Sequence, residues 1–272
     1  MSAIQGVVEM WDSYNRLGWK VFNHDPKIVD WAQEAKSRTI SKLCSRQLAK
    51  HDLRCGGTWF PGVRFLDNND LGALGSTKLE GNSVAQISKK FGKFFKFWDP
   101  AQISIIYPGY PKRNESESEN AFKFRKEKFG SHVDGVIPIG KSRKRFIKEF
   151  HTFIYGISIS EFDELAAPLI AWEGSHHIFR SALEQVLKHL EPTSWSDLDV
   201  TMCYNEVRKH IFKKCKPRVI WVPIGGSFII HRLCLHGVAP WGDGAFSEPS
   251  GRMIAYFRPN LIDSGHWSDE SV

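Results

Sequence analysis

The sequence predicts a mainly β protein with flanking helices, its strands forming an antiparallel sandwich or barrel of the jelly-roll kind. Two observations predict it. Many short apolar stretches, rich in β-branched and aromatic residues and bounded by Gly, Pro or Ser, follow an opening helical region. Helical periodicity is otherwise confined to two stretches between about residues 181 and 211. The 272 residues can bury a substantial core, and one domain over 1–272 is expected, with a helical region (1–100) packed on a β core (101–260).

The elements follow in order. Asp25-Pro26 is a helix start, and Ile28, Trp31, Ala32, Ala35, Leu43 and Leu48 recur at mostly helical intervals, giving one amphipathic helix or two. Strands are expected at Gln102 to Tyr107, Val136 to Ile139, Thr152 to Ile159, Pro168 to Trp172, Val219 to Val222, Ser227 to Leu233 and Met253 to Phe257. Between them, Leu183, Val186, Leu187 and Leu190 mark a helix from about Ser181 to His189, and Val200, Tyr204, Val207 and Ile211 mark another after Ser196. The polar, turn-rich stretch from Pro108 to Asn120 reads as a loop or mobile lid. No internal repeat is present.

Composition excludes several classes. Hydrophobic residues make up 42% and charged residues 25%, a globular balance, and no apolar run is long enough for a membrane span. The first residues lack a basic leader and cleavable apolar block, so a cytoplasmic protein is expected. Five cysteines (Cys44, Cys55, Cys203, Cys215, Cys234), an odd number with no CxxC pair, read as free thiols. The net charge of +7 raises the question of an anionic partner. Its densest stretches, Lys123 to Lys128 and Lys141 to Lys148, are either solvated surface or a flank that meets an anionic substrate.

The chemistry is carried by His132-Val133-Asp134, because residues two apart on an extended chain point to one side and can close on one metal ion. His236, in FIIHRLCLHGVAPW, offers a third ligand. Two histidines and one carboxylate on one face of an octahedral metal leave positions open for a co-substrate and oxygen, which suits non-haem iron(II). His231 is the rival third ligand, but its odd offset from His236 would put it on the opposite face of a regular strand. Arg252 opens a further strand in GRMIAYFRP, and a guanidinium fork binds a carboxylate with two parallel hydrogen bonds; Arg258 competes for that role.

The ordered set HVD, WEGSHH, HGVAPW and GRMIAYF resembles the phytanoyl-CoA dioxygenase family of iron(II)/2-oxoglutarate-dependent oxygenases, over roughly Gln102 to Pro259. The resemblance implies a double-stranded β-helix (jelly roll, cupin-like) with His132, Asp134 and His236 as metal ligands and Arg252 on the far carboxylate of 2-oxoglutarate. It further implies that Phe129 and Tyr107 line the co-substrate pocket; the Gly174-Ser175-His176 turn, which matches the family's pattern, reads as structural. Where many relatives have Ser after the HG pair this chain has Val238, so one hydrogen bond to the co-substrate must come from elsewhere. The segment CGGTWFPGV (Cys55 to Val63) lies outside the family core, and reads either as a wall of the substrate pocket or as a buried turn on Trp59 and Phe60.

By this resemblance the expected activity is a dioxygenase that consumes oxygen and 2-oxoglutarate, releases succinate and CO2, and hydroxylates a small metabolite, for which the basic flanks suggest a negative charge. The intact Asp134 argues against halogenation, whose enzymes lack this carboxylate. Two other readings predict different behaviour. A nucleic-acid-binding protein, suggested by the pI of about 9.1, would bind polyanions in a salt-sensitive way without needing His132. A zinc-dependent hydrolase or isomerase on the same scaffold would ignore 2-oxoglutarate and have no use for Arg252.

Overall fold

The computed structural model describes residues 11–46 and 49–269, so Leu48 lies outside the described residues. The strands run β1 (Trp19–Phe22), β2 (Trp59–Phe60), β3 (Gln102–Ile106), β4 (Val136–Ile139), β5 (Lys144–Ile147), β6 (Phe153–Ser158), β7 (Glu161–Phe162), β8 (Leu169–Trp172), β9 (Pro217–Ile220), β10 (Ser227–His231), β11 (His236–Val238), β12 (Ser247–Glu248) and β13 (Arg252–Phe257). Six of them form an antiparallel sheet in the order β1-β10-β6-β13-β3-β2, and three form a second, β11-β8-β9. A hairpin, β4-β5, and a two-stranded pair of distant segments, β7-β12, complete the strands.

Period-two alternation sorts the large sheet's side chains into two cores. Phe153, Tyr155, Ile157, Ile229, Ala255 and Phe257 face outward, against Ile28, Trp31 and Ala35 of the helix Pro26–Ser45 and Ile87 and Phe91 of the helix Asn82–Phe91. Ile154, Phe228, Ile230, Ile254 and Tyr256 face inward, against Leu169, Ala171 and Ile220 of the small sheet. The small sheet's other face, with Ile170 and Trp172, is covered by Phe179 and Leu183 of the helix Ser175–Leu187 and by Tyr204 and Ile211 of the helix Thr201–Lys214. The result is four layers with helices outside both sheets, each large apolar side chain contributing roughly 1.5–3 kcal/mol by burial.

Several expectations shift in detail. The first helix is single, capped by the Asp25 side chain on the Lys27 amide, and ends at Ser45. The helix expected near Ser181 starts six residues earlier, at Ser175, because Gly174 turns the chain with φ of 70° straight out of β8. The stretch Ser227 to Leu233 divides: β10 ends at His231, a turn closed by Cys234 N–H to His231 O at 2.8 Å follows, and His236 opens β11 in the opposite sheet. The region Pro108 to Asn120 is irregular, but it is tied down. Lys112 N–H donates to Cys55 O, and Asn114 Oδ1 accepts from Gly56 N–H. The helices Asn82–Phe91 and Glu119–Glu127 were not expected, although Val84, Ile87 and Phe91 keep helical spacing. All five cysteines are free thiols.

Candidate active site

The small sheet delivers the candidate ligands. His132 and His236 form an antiparallel bridge, His132 N–H donating to His236 O at 2.8 Å and His236 N–H to His132 O at 3.0 Å. Backbone bonds therefore hold the two histidines side by side, with ring centroids 4.8 Å apart. Gly237 makes this approach possible, since a Cβ there would fall 2.3 Å from Phe129 O. Val133 turns into the core while Asp134 returns to the side of His132, as the HxD spacing requires. Ligand atoms of the three side chains all lie within 4.8 Å of one another, and no other group of this kind occurs among the described residues.

Hydrogen bonds settle which atoms face the centre. His132 Nδ1 lies 3.1 Å from Gly130 O and His236 Nδ1 lies 2.9 Å from Cys234 O. A carbonyl only accepts, so each Nδ1 carries a proton, and in the neutral ring each Nε2 lone pair is free. Both Nε2 atoms face Asp134 Oδ1, at 3.1 and 3.6 Å. The other carboxylate oxygen is held by Arg258, whose Nε donates to Oδ2 at 2.5 Å. Burial pushes the Asp134 carboxyl up, but the Arg258 guanidinium, first among the opposing groups, helps hold it well below the usual carboxylate range. One oxygen of a firmly ionised carboxylate is thus directed at the two free Nε2 atoms.

The surroundings fix this arrangement. Ser175 Oγ accepts from Leu235 N–H at 2.9 Å and donates to Cys234 Sγ at 3.4 Å, bracing the turn that ends at His236. This is the structural role expected of the Gly174-Ser175-His176 turn. Arg258 also donates from Nη1 to Gln102 Oε1, and its N–H donates to Asp99 Oδ1 at 2.7 Å. The triad opens onto a cleft of about 400 Å³, with His132 on its accessible side and His236 on its buried side (side chains 46% and 6% exposed). Arg54, Trp59, Pro61, Val63 and Arg64 line the cleft, so the segment around CGGTWFPGV forms one of its walls. Trp59 Nε1–H donates to Ser104 Oγ at 3.1 Å, and Arg54 lies over the indole ring at 5.4 Å.

The remaining candidates separate. Arg252 is completely buried on the inward face of β13, and none of its three guanidinium nitrogens has a hydrogen-bond partner. A buried, unpartnered guanidinium is costly unless a ligand completes it. Phe129 packs on Trp172 with ring centroids 5.9 Å apart, inside the core beneath the small sheet, and is not a cleft residue. Tyr107 follows the inward-facing Ile106 and packs with the outer core beside Gly251. His231 sits away from the triad, its ring 4.7 Å from that of His176 and 5.6 Å from that of Tyr14. It and His236 stand on different strands, so the parity argument between them does not apply. The basic stretches do not line the cleft. Arg125 pairs with Glu117, Lys144 with Asp199 and Lys148 with Asp197. The role of Arg258 on Asp134 was missed, and only the even spacing from Arg252 hinted that it faces the same interior.

No family model matches the chain, and no curated protein matches it either. The resemblance to the phytanoyl-CoA dioxygenase family therefore rests on its motifs. Among solved structures, AviO1 from Streptomyces viridochromogenes Tue57 is 13% identical over 94% of this chain and 95% of its own, with a TM-score of 0.48. SnoK, a non-heme alpha ketoglutarate dependent carbocyclase from nogalamycin biosynthesis, is 11% identical over 98% and 90%, with a TM-score of 0.46. EctD from S. alaskensis, solved with 2-oxoglutarate and 5-hydroxyectoine, is 12% identical over 96% and 77%, with a TM-score of 0.43. Identities and TM-scores this low carry no inference about activity, which has to come from the side chains.

Proposed function

We propose that this chain is an iron(II)- and 2-oxoglutarate-dependent dioxygenase that hydroxylates a small anionic molecule, built on a double-stranded β-helix formed by the two facing sheets. His132 Nε2, His236 Nε2 and Asp134 Oδ1 hold the metal, and Arg252 binds the far carboxylate of the co-substrate. The observation that carries this reading is Arg252: a fully buried cation without a partner, on the inward face of the sheet that also carries Ile254 and Tyr256. A zinc hydrolase on the same three ligands would have no use for it. When bound, iron(II) and 2-oxoglutarate supply an oxygen-derived oxidant, with succinate and CO2 released.

The chain's own residues do the rest. The two Nδ1–H to carbonyl bonds orient the imidazoles, and Arg258 fixes Asp134 so that a single oxygen is presented. Ile154, Leu169 and Ile230 line the cleft with apolar surface and exclude water from its depth. At the mouth, Arg54 and Arg64 have no ion pair among the described residues, which favours an anionic substrate lying along Trp59. The first test is anaerobic titration with iron(II) and 2-oxoglutarate, followed by the weak visible charge-transfer absorption of the chelate. The band is expected in wild type and absent in Asp134→Ala. Folded wild-type protein that gives no band would overturn the proposal.

A further inference from the structure

A carboxylate has two oxygens and about four acceptor positions, more than one guanidinium fork can fill. In a fully closed place such as that around Arg252 the remaining positions need donors from the protein. The hydroxyl that the motif leads one to expect after the HG pair is replaced by Val238. The structure offers a different group at that end of the inter-sheet space. Tyr110 is 6% exposed and belongs to a small buried cluster with Cys55, Ile106 and Ala167, against which Val238 and Trp59 pack. Ile106 is the residue that faces Arg252 directly across the β3–β13 pair. The Tyr110 ring therefore shares the neighbourhood of both the orphaned guanidinium and the side chain that lost the hydroxyl. Its backbone is anchored on both sides, by Tyr110 N–H to Tyr107 O at 3.2 Å and by Trp241 N–H to Tyr110 O at 2.8 Å.

The direction of the phenol proton follows from its other neighbour. Arg125, held by Glu117 with Nη2 and Nε at 2.7 and 3.2 Å from Oε1, lies near the Tyr110 hydroxyl and draws its pKa down. A guanidinium has no acceptor, so the Tyr110 proton cannot go to Arg125 and is left to be given elsewhere. Burial, with a smaller push from Cys55, raises this phenol to about 12 although Arg125 and Arg252 both pull it down, so it is a donor at neutral pH.

Resting on the iron and 2-oxoglutarate reading above, we infer that the Tyr110 hydroxyl is the second donor to the far carboxylate of the co-substrate. It acts beside Arg252 and in place of the side chain Val238 cannot provide, with Arg125 as the residue that positions it. The tyrosine that serves the co-substrate is then Tyr110 and not Tyr107, whose ring lies on the opposite side of the sheet.

The test compares two 2-oxo acids under anaerobic conditions with iron(II): 2-oxoglutarate, and 2-oxopentanoate, which has a methyl group where the far carboxylate would be. Dissociation constants come from the chelate absorption, and circular dichroism confirms that each variant is folded. Tyr110→Phe is expected to weaken 2-oxoglutarate about tenfold or more and to leave 2-oxopentanoate unchanged. Val238→Ser, added to Tyr110→Phe, is expected to restore part of the loss, which a packing role for Tyr110 would not produce. Arg125→Lys should show a smaller loss of the same selectivity. The inference is overturned if Tyr110→Phe binds 2-oxoglutarate within about twofold of wild type while Arg252→Met binds it poorly, or if Tyr110→Phe weakens both acids alike. If wild-type protein gives no chelate with either acid, the reading of the metal centre fails first and this inference goes with it.

Discussion

Two arginines mark the ends of one strand and share its inward face, yet they live in opposite circumstances. Arg258, just after β13, is bonded through Nε to Asp134 and through Nη1 to Gln102, and its N–H is taken by Asp99. Arg252, at the start of β13, is more deeply buried and its guanidinium bonds nothing. A cation completed by its own chain is part of the architecture. A cation buried without a partner is poor architecture, and its retention points to something that arrives from outside.

The largest expected effect tests the group that Arg258 serves. Asp134→Ala should weaken iron binding by more than the 10- to 100-fold typical of losing an outer-shell partner of a metal site, read by anaerobic metal titration. The sharper test is the sign of two stability changes. Arg258→Met leaves Asp134 buried with its charge unbalanced and should cost about 3 kcal/mol in urea unfolding of the metal-free protein. Arg252→Met removes an unsatisfied buried cation and should leave the metal-free protein as stable or more so, by on the order of 1–3 kcal/mol. Two equal losses would erase the contrast. The third effect reverses with ligand: 2-oxoglutarate at about 100 times its Kd should stabilise iron-loaded wild type by about 2.7 kcal/mol and raise its Tm, while Arg252→Met should gain nothing.

These contrasts show what was legible in the sequence. The strands β3, β6, β8, β10 and β13 were readable because each is apolar on both faces, being buried between a helix layer and the other sheet, whereas β1, β2, β5, β7, β11 and β12, short or partly polar, were not. HxD spacing alone predicted that His132 and Asp134 converge, and the HG pair supplied His236. The break of the Ser227 to Leu233 stretch was not readable, because what ends β10 is tertiary: Arg232 turns away to donate to Trp267 O at 2.6 Å and Asp269 O at 2.8 Å, contacts with the far end of the chain. Nor could spacing say which arginine would be left over, since the partners of Arg258 lie on β3 and beside His132. Phe129 is a related case. Its position before the HxD motif is meaningful, but through its backbone, whose carbonyl accepts from Val238 N–H at 2.9 Å, while its ring turns to Trp172.

A second comparison lies between the two histidine pairs. His132 and His236 have a carboxylate between them, whereas His176 and His231 are buried beside Tyr14 with none. Burial drives His176 down to about 3 and His231 well below its usual range, helped by His177, Arg180 and Arg232. Both take up protons on unfolding at acidic pH, so each contributes stability at neutral pH that is lost as pH falls below about 6.5. The slope is about 1.4 kcal/mol per pH unit per histidine, and for His176 it levels off near pH 3. Replacing His176 by Asn should flatten the acid limb of a stability-versus-pH curve by about one proton. The smallest effect belongs to Ser175→Ala, which strands the Leu235 amide and should cost about 1 kcal/mol in stability with a modest loss of iron affinity, both measurable in the titrations above.

The bridge between His132 and His236 has a kinetic consequence as well. Two residues more than a hundred positions apart exchange both of their amide bonds, so their meeting waits on closure of a long loop. Their amide protons should therefore exchange with deuterium only when the bridge opens, slowly already in the metal-free protein and more slowly still with iron bound, since iron binds only the closed form. A centre assembled by the backbone is waiting before its metal arrives.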